Sequence, residues 1–353
     1  MAAPLRVHVV VNARFPTKKA YGIQIAKMCE ALAAAGADIT LVIPRTRASA
    51  ASAKEMYGLQ ADINTVRLPA LDLYGSSRAG FVISSLVFMK MSFIYLAWLR
   101  MRGRLGLIYT VDMDTFSYSF LPMIGPTVAE MHSPKRSTLW SRFFFKRARV
   151  IATNPLIAQE FKTTFGIECL VEPNGVDEPF FNLSGQGGGA LYVGRLYKWK
   201  GLEVLPAAQE ASGIPFQILG GSREEFEAVF GPAGNLQFAS AELSEVPQWL
   251  ARADVLLLVG TGKNQESNRY TAPMKVFEYL ATGKPIAASE TEALKSLVPA
   301  HLVHYCTPDD PQALAHAVHA ALADTGGAHE RMAFAREHTW ARRAARVLEF
   351  MKP

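Results

Sequence analysis

Short β-branched runs alternate along nearly the whole chain with longer stretches whose apolar residues recur every three or four positions. RVHVVV (6–11) is the first such run, IQIAKMCEALAAAG (23–36) has helical spacing and closes on Gly36, and DITLVIP (38–44) returns to a strand. This alternation is the pattern of a parallel sheet covered by helices. Further strands are expected at LIYTVD (107–112), PTVAEMH (126–132) and RVIATN (149–154). After CLVEPNGVDEPFF (169–181) comes the Gly-rich SGQGGG (184–189). The pattern then restarts with ALYVGR (190–195), FQILGG (216–221), LQFAS (236–240), DVLLLVG (254–260), PIAAS (285–289) and HLVHYC (301–306). The predicted architecture is α/β: two Rossmann-like, doubly wound domains facing across a cleft, over residues 1–172 and 173–335. The last segment, 336–353, reads as a helix and is a candidate to cross back to the N-terminal domain.

Composition adds limits to this picture. A chain of 353 residues, half of them apolar, exceeds what one hydrophobic core usually fills. Cys29, Cys169 and Cys306 stand far apart with no CxxC pair, which fits a reduced, cytoplasmic protein without structural zinc. The start, MAAPLRVHVVVNARF, has no basic leader followed by a long apolar stretch, so no secretory signal is expected. Charge is uneven: residues 1–172 are net +10 and residues 173–353 net −4. A basic half suits an anionic partner. No basic run with interleaved aromatics marks a nucleic-acid module, and nucleic acid is not expected.

The stretch FVISSLVFMKMSFIYLAWLRMRGR (81–104) has the length of a membrane span but carries Lys90 at its centre. Two readings lead: a largely buried helix covering a sheet, and a helix docked on a membrane surface with Trp98, Arg100, Arg102 and Arg104 at the interface.

In a doubly wound fold, ligands bind beyond the carboxyl ends of the strands. Neither VVNARFPTKKAYG (10–22) nor LYVGRLYKWKG (191–201) is the GxGxxG turn of dinucleotide enzymes, which argues against hydride transfer. The second stretch instead puts Gly194-Arg195 at a strand end and Lys200-Gly201 shortly after. Two cations on such a loop are able to clamp a diphosphate; the same GRLYKWKG also reads as a plain basic surface loop.

The motifs PNGVD (173–177), VGRLYKWKG (193–201), ILGGS (218–222) and VFEYLATGKPIAAS (276–289), in this order, resemble those of GT-B fold glycosyltransferases. The resemblance is specifically to family 4, the retaining, nucleotide-sugar-dependent glycosyl transferases group 1. Weaker matches are the Tyr21-Gly22 turn, EMHS (130–133) and HTWARRAARVL (338–348). The resemblance implies that Arg195 and Lys200 contact the donor diphosphate and that Glu278 accepts hydrogen bonds from the ribose. It also implies that Gly22 allows close approach of the donor phosphates and that His132 lies beside the transferred sugar. Breaking the anomeric C–O bond builds negative charge on the leaving diphosphate, so cations and N–H donors belong there. A helix starting near Pro273 would add its amino end. Thr271, Met274 or Lys275, and Glu278 would then share one face, with Glu278 ~8 Å along the axis. No metal or other cofactor is expected. Asp112-Met113-Asp114 matches DxD in letters, but it follows an N-terminal strand, away from the expected donor pocket. The family's front-face mechanism, in which the leaving phosphate oxygen takes the acceptor proton, needs no carboxylate nucleophile.

The chain departs from the family at 270–278, YTAPMKVFE. Tyr270 stands where the family's first Glu touches the donor sugar, Thr271 and Pro273 replace glycines, and Lys275 replaces a proline. Tyr270, Thr271, Ala272, Pro273, Met274, Lys275 and Gly194 complete the expected donor site, and Glu266 is a candidate substitute for the missing Glu. The expected function is transfer of a hexosyl group from a UDP- or GDP-sugar to a lipid-linked or envelope-polysaccharide acceptor. The basic N-terminal domain would hold that acceptor, in the cytoplasm or on the cytoplasmic face of a membrane. The alternatives are a nucleotide-sugar epimerase or hydrolase of the same fold, and a non-catalytic nucleotide-sugar-binding subunit.

Overall fold

The computed structural model describes residues 4–46, 52–73, 77–112, 118–181 and 183–352. The chain divides into two compact units: residues 1–172 with 340–353, and residues 173–339.

The first unit is built on seven parallel strands: β1 Arg6–Val10, β2 Asp38–Pro44, β3 Thr65–Leu68, β4 Leu107–Val111, β5 Thr127–Met131, β6 Arg149–Ala152 and β7 Cys169–Val171. Their order is β3-β2-β1-β4-β5-β6-β7. In β1 every residue after Arg6 is buried, because helices cover both faces of the sheet, as parallel sheets require. The terminal helix Trp340–Met351 belongs to this unit and packs on the first helix, Ala20–Ala34. The helix over Arg78–Met101 differs from the expected buried cover. Only seven of its 24 residues are buried, among them Ser84, Ser85 and Ser92.

The second unit has six parallel strands: β8 Ala190–Val193, β9 Phe216–Leu219, β10 Gln237–Ala239, β11 Val255–Leu258, β12 Ile286–Ser289 and β13 His304–Cys306. They run in the order β10-β9-β8-β11-β12-β13. Alternate residues feed the two sides. Leu191, Leu256, Leu258, Ile286 and Ala288 join one core layer, while Ala190, Tyr192, Val255, Leu257 and Ala287 join the other. β13 starts later than its sequence suggests because Ala300–Leu302 forms a 3₁₀ turn.

In each unit the strand order reverses beside the first strand, between β1 and β4 and between β8 and β11. The crevice at such a reversal is where doubly wound folds bind ligands. The loops after β8 and β11 carry the motifs singled out above.

Candidate functional site

In the second unit, β8 ends in Gly194, whose N–H donates to the Leu219 carbonyl at 2.8 Å while its φ of 142° excludes most side chains. A Cβ there would lie 3.3 Å from the Tyr192 hydroxyl and 3.4 Å from Lys200 Nζ. Arg195 follows, exposed, and a 3₁₀ turn over Lys198–Lys200 brings Lys200 back so that its Nζ donates to the Arg195 carbonyl at 3.0 Å. Gly201, at φ 70°, packs against Thr261 at the end of β11, closing the loop over the strand reversal.

The segment from β11 to the next helix supplies the other wall. A π-helical turn, Glu266–Tyr270, ends with the Thr271 N–H donating to the Glu266 carbonyl at 2.9 Å. The Arg269 guanidinium lies 6.0 Å from the centre of the Tyr270 ring, and Glu266 is exposed. Asn174, from PNGVD, donates through Nδ2 to the Ala272 carbonyl at 2.8 Å, which holds the 271–273 stretch out of helical geometry. The helix expected from Pro273 therefore starts at Lys275, with Met274 as its cap, and runs only to Ala281. Thr271 is not on it, so the shared face of Thr271 with Glu278 is not formed. Seven residues also make a small dipole, and the charges at this site come from side chains. Tyr279 anchors the helix to β8 by accepting the Val193 N–H at 2.8 Å.

Lys275 Nζ lies 3.9 Å from the centre of the Tyr192 ring, buried and without a hydrogen-bond partner among the described residues. Lys200 Nζ lies 5.9 Å from the same ring. Burial, and then the charge of Arg195, lowers the Lys200 ammonium to about 8. Burial and the charge of Lys200 hold Lys275 well below its ordinary value, against the pull of Glu278. Burial and the negative charge of Asp177 push the Glu278 carboxyl up to about 7, opposed by Lys275. Two lysines thus share one tyrosine ring, each lowered first by burial, with Arg195 adding a like charge on Lys200 and the Glu278 carboxyl alongside. That is a site short of negative charge, built to receive an anion.

The remaining predicted residues belong to the first unit. Gly22 lies in the first turn of Ala20–Ala34, and a Cβ there would sit 2.5 Å from the Tyr57 hydroxyl and 2.7 Å from the Thr17 carbonyl oxygen. Its bareness is thus used for packing: Tyr57 Oη both accepts from Thr17 N–H at 2.6 Å and donates to Thr17 O at 2.8 Å. His132, just past β5, places Nε2 2.9 Å from Glu130 Oε1. Glu130 is wholly buried and also meets Gln24 Nε2 at 2.6 Å, Arg343 Nη2 at 2.8 Å and the Tyr109 hydroxyl. Burial alone would raise its carboxyl, but Arg343, His132 and Tyr109 hold it at about 2. An ionised Glu130 can only accept a hydrogen bond, so Nε2 is the nitrogen of His132 that donates to it.

Asp112 holds Lys135 at 2.7 Å, while Met113 and Asp114 lie outside the described residues. No group of three or more His, Cys, Asp or Glu forms a cation site among the described residues. Tyr192, Asp177, Asn174, Glu130 and Arg343 were given no role by the sequence, although each falls inside a motif stretch: Tyr192 in LYVGRLYKWKG, Asn174 and Asp177 in PNGVD, Glu130 in EMHS and Arg343 in HTWARRAARVL.

Residues 188–324 match the family model of Glycosyl transferases group 1. No sequence among curated proteins matches the chain at a significant level. Solved structures resemble it over its whole length. Sucrose-phosphate synthase from Thermosynechococcus elongatus has a TM-score of 0.74 at 18% identity, covering 98% of both chains. HepE from Anabaena, solved with UDP and glucose, gives 0.69 at 16%, covering 98% of this chain and 99% of its own. The lipopolysaccharide outer core galactosyltransferase WaaB gives 0.65 at 12%, covering 98% of both. The chain has the GT-B fold of these proteins, and its match to the glycosyl transferases group 1 model lies wholly within the second unit.

Proposed function

We propose that this protein is a retaining glycosyltransferase that moves a hexosyl group from a UDP- or GDP-sugar to a lipid-linked or envelope-polysaccharide acceptor held by the basic first unit. The observation that carries this reading is the pair Lys200 and Lys275 over the Tyr192 ring, both lowered first by burial, with Arg195 adding a like charge on Lys200. A donor diphosphate brings the opposite charge. As the anomeric C–O bond breaks, charge on the leaving diphosphate grows, and fixed cations favour the transition state over the ground state. In this reading the transfer needs no metal ion, because the three side chains meet the diphosphate charge. Glu278 in its carboxylate form accepts from the ribose hydroxyls. A leaving phosphate oxygen takes the acceptor proton, so no carboxylate nucleophile is used. His132, oriented by Glu130, presents Nδ1 to a sugar hydroxyl. The structural neighbours lend support: HepE was solved with UDP and glucose, and WaaB is a galactosyltransferase of lipopolysaccharide. We place the reaction in the cytoplasm or at the cytoplasmic face of a membrane.

The test is thermal-shift measurement with UDP, GDP and their sugars, followed by mass detection of sugar transfer to membrane extracts. Stabilisation by one nucleotide series and a product one hexose heavier are expected. If no nucleotide sugar stabilises the protein, the reading fails. Free sugar or an epimer released without acceptor would favour the hydrolase or epimerase, and tight binding without any product the non-catalytic subunit. Arg195→Ala or Lys200→Ala should lower turnover on the order of 100-fold, the scale of a lost oxyanion donor; near-normal rates in both would remove them from the mechanism.

A further inference from the structure

The helix Arg78–Met101 turns Ser84, Ser85 and Ser92 inward beside Phe88, Leu96 and Leu99, and leaves a second set of large apolar side chains facing outward. Of that second set, Val82, Leu86, Phe93, Ile94, Trp98 and Met101 are 38–80% exposed. Four- and seven-residue spacings put the outward residues on one side. The patch continues past both ends. Leu73, whose N–H donates to Ser84 Oγ at 3.1 Å, is 41% exposed, and Met123, whose carbonyl accepts from Arg100 at 2.8 Å, is 64% exposed. From Leu73 to Val111 the chain has no Asp or Glu, while Arg78, Lys90, Arg100, Arg102 and Arg104 are all exposed. An apolar face this long exceeds the scattered exposed residues that are normal on soluble proteins.

We propose that this face docks the first unit on an anionic phospholipid bilayer, with the helix lying in the plane of the interface. Charge selects the occupant. A second copy packed on the same face would bring Lys90 and the flanking arginines against their own counterparts, with no carboxylate on either side. A spanning helix is excluded by its inner side. Asn12 Nδ2 donates to Ser85 Oγ at 2.8 Å, Leu73 N–H to Ser84, and Phe88 packs 6.4 Å from Tyr118, so that side is committed to the fold. An interfacial helix satisfies both sides. Apolar side chains enter the acyl boundary, Lys90 reaches up to the headgroups, and Trp98, with Arg102 5.5 Å from its ring, marks the headgroup level. The unit behind it supports this: residues 1–172 and 340–353 hold 25 Lys and Arg against 12 Asp and Glu. The inference does not rest on sugar transfer, and its readout needs no nucleotide.

The experiment is flotation of the full chain with phosphatidylcholine vesicles, with and without phosphatidylglycerol. Binding to the anionic vesicles, weakened by salt, is expected. Phe93→Gln with Ile94→Gln should weaken it on the order of 100-fold at every salt concentration. Lys90→Gln with Arg102→Gln should weaken it ~30-fold at low salt and little at high salt. All four side chains point to solvent or only part-buried surface, and unchanged melting confirms that the variants fold. The proposal is overturned by any of three results: no vesicle binding, variants that bind like the native chain, or a native dimer in light scattering that Phe93→Gln with Ile94→Gln splits.

Discussion

Lys275 is the residue whose environment asks most for a ligand. Its ammonium is buried over Tyr192 with no hydrogen-bond partner among the described residues, beside a second lysine. A buried charge without its counter-ion destabilises the fold, and an apolar side chain of similar length often restores stability. Lys275→Met should therefore stabilise the protein by about 1–4 kcal/mol in chemical denaturation. Calorimetric titration should show UDP binding weakened about tenfold or more, roughly one charge-assisted hydrogen bond, with UMP affected less. Equal losses for UDP and UMP would remove Lys275 from the β-phosphate. Glu278 adds a pH dependence with a definite sign. Unfolded, it titrates at its ordinary value of 4.5; folded and empty, it holds its proton up to about 7. The folded state binds more protons in that window, so its contribution to stability is present below 4.5 and is lost as pH rises toward 7. A ribose hydroxyl needs the carboxylate, so affinity for a UDP-sugar should rise as pH approaches 7. It should fall again above about 8, where Lys200 loses its charge. Glu278→Gln should flatten the acid limb of that titration and leave the alkaline limb.

At the scale of elements, the terminal helix Trp340–Met351 is tied into the first unit by charge as well as by packing. Arg343 meets Glu130 in the core, and Arg346 grips Glu172 at 2.5 and 3.0 Å. Removing one partner of a buried pair leaves the other uncompensated, so Arg343→Met should cost about 3–5 kcal/mol in the unfolding of the first unit. Glu130 is held at about 2 against 4.5 unfolded, so the pair's stabilisation is complete above 4.5 and is lost as pH falls toward 2. Unfolding at neutral and acid pH should show this loss in the native chain and much less in Arg343→Met. Adding Glu130→Gln should recover part of the neutral-pH cost; no recovery would mean the two residues are not coupled. The sequence predicted the strands well because each is a short apolar run between turn residues, a local signal. It could not pair Glu130 with Arg343, more than 200 positions apart, since each reads locally as an ordinary charged residue. The same limit explains Pro273. Its ring suits a first helical turn, but a distant Asn174 holds the Ala272 carbonyl and delays the helix to Lys275. Tyr192 was hidden for another reason: in a buried strand an aromatic residue reads as core, and only the fold brings Lys200 from the loop after β8 and Lys275 from the helix after β11 over its ring.

Over the whole molecule, charge and ligand binding are divided between two units with separate cores, and this has a thermodynamic consequence. Multi-domain chains depart from two-state unfolding, so the calorimetric trace should resolve two transitions. Every residue proposed to meet the donor nucleotide, Arg195, Lys200, Lys275 and Glu278, lies within 173–339, one uninterrupted segment. A ligand stabilises only the states that bind it, by about 2.7 kcal/mol at a hundredfold excess over its dissociation constant. For a unit of this size that moves its midpoint up by roughly 2–4 °C. The nucleotide that binds should therefore raise one transition and leave the other where it was, and Lys275→Met should reduce the shift. Assignment follows from Arg343→Met, which should lower the other transition alone. If nucleotide raised the transition that Arg343→Met lowers, the diphosphate would be held by the first unit, and the cations around Tyr192 would need a different anion.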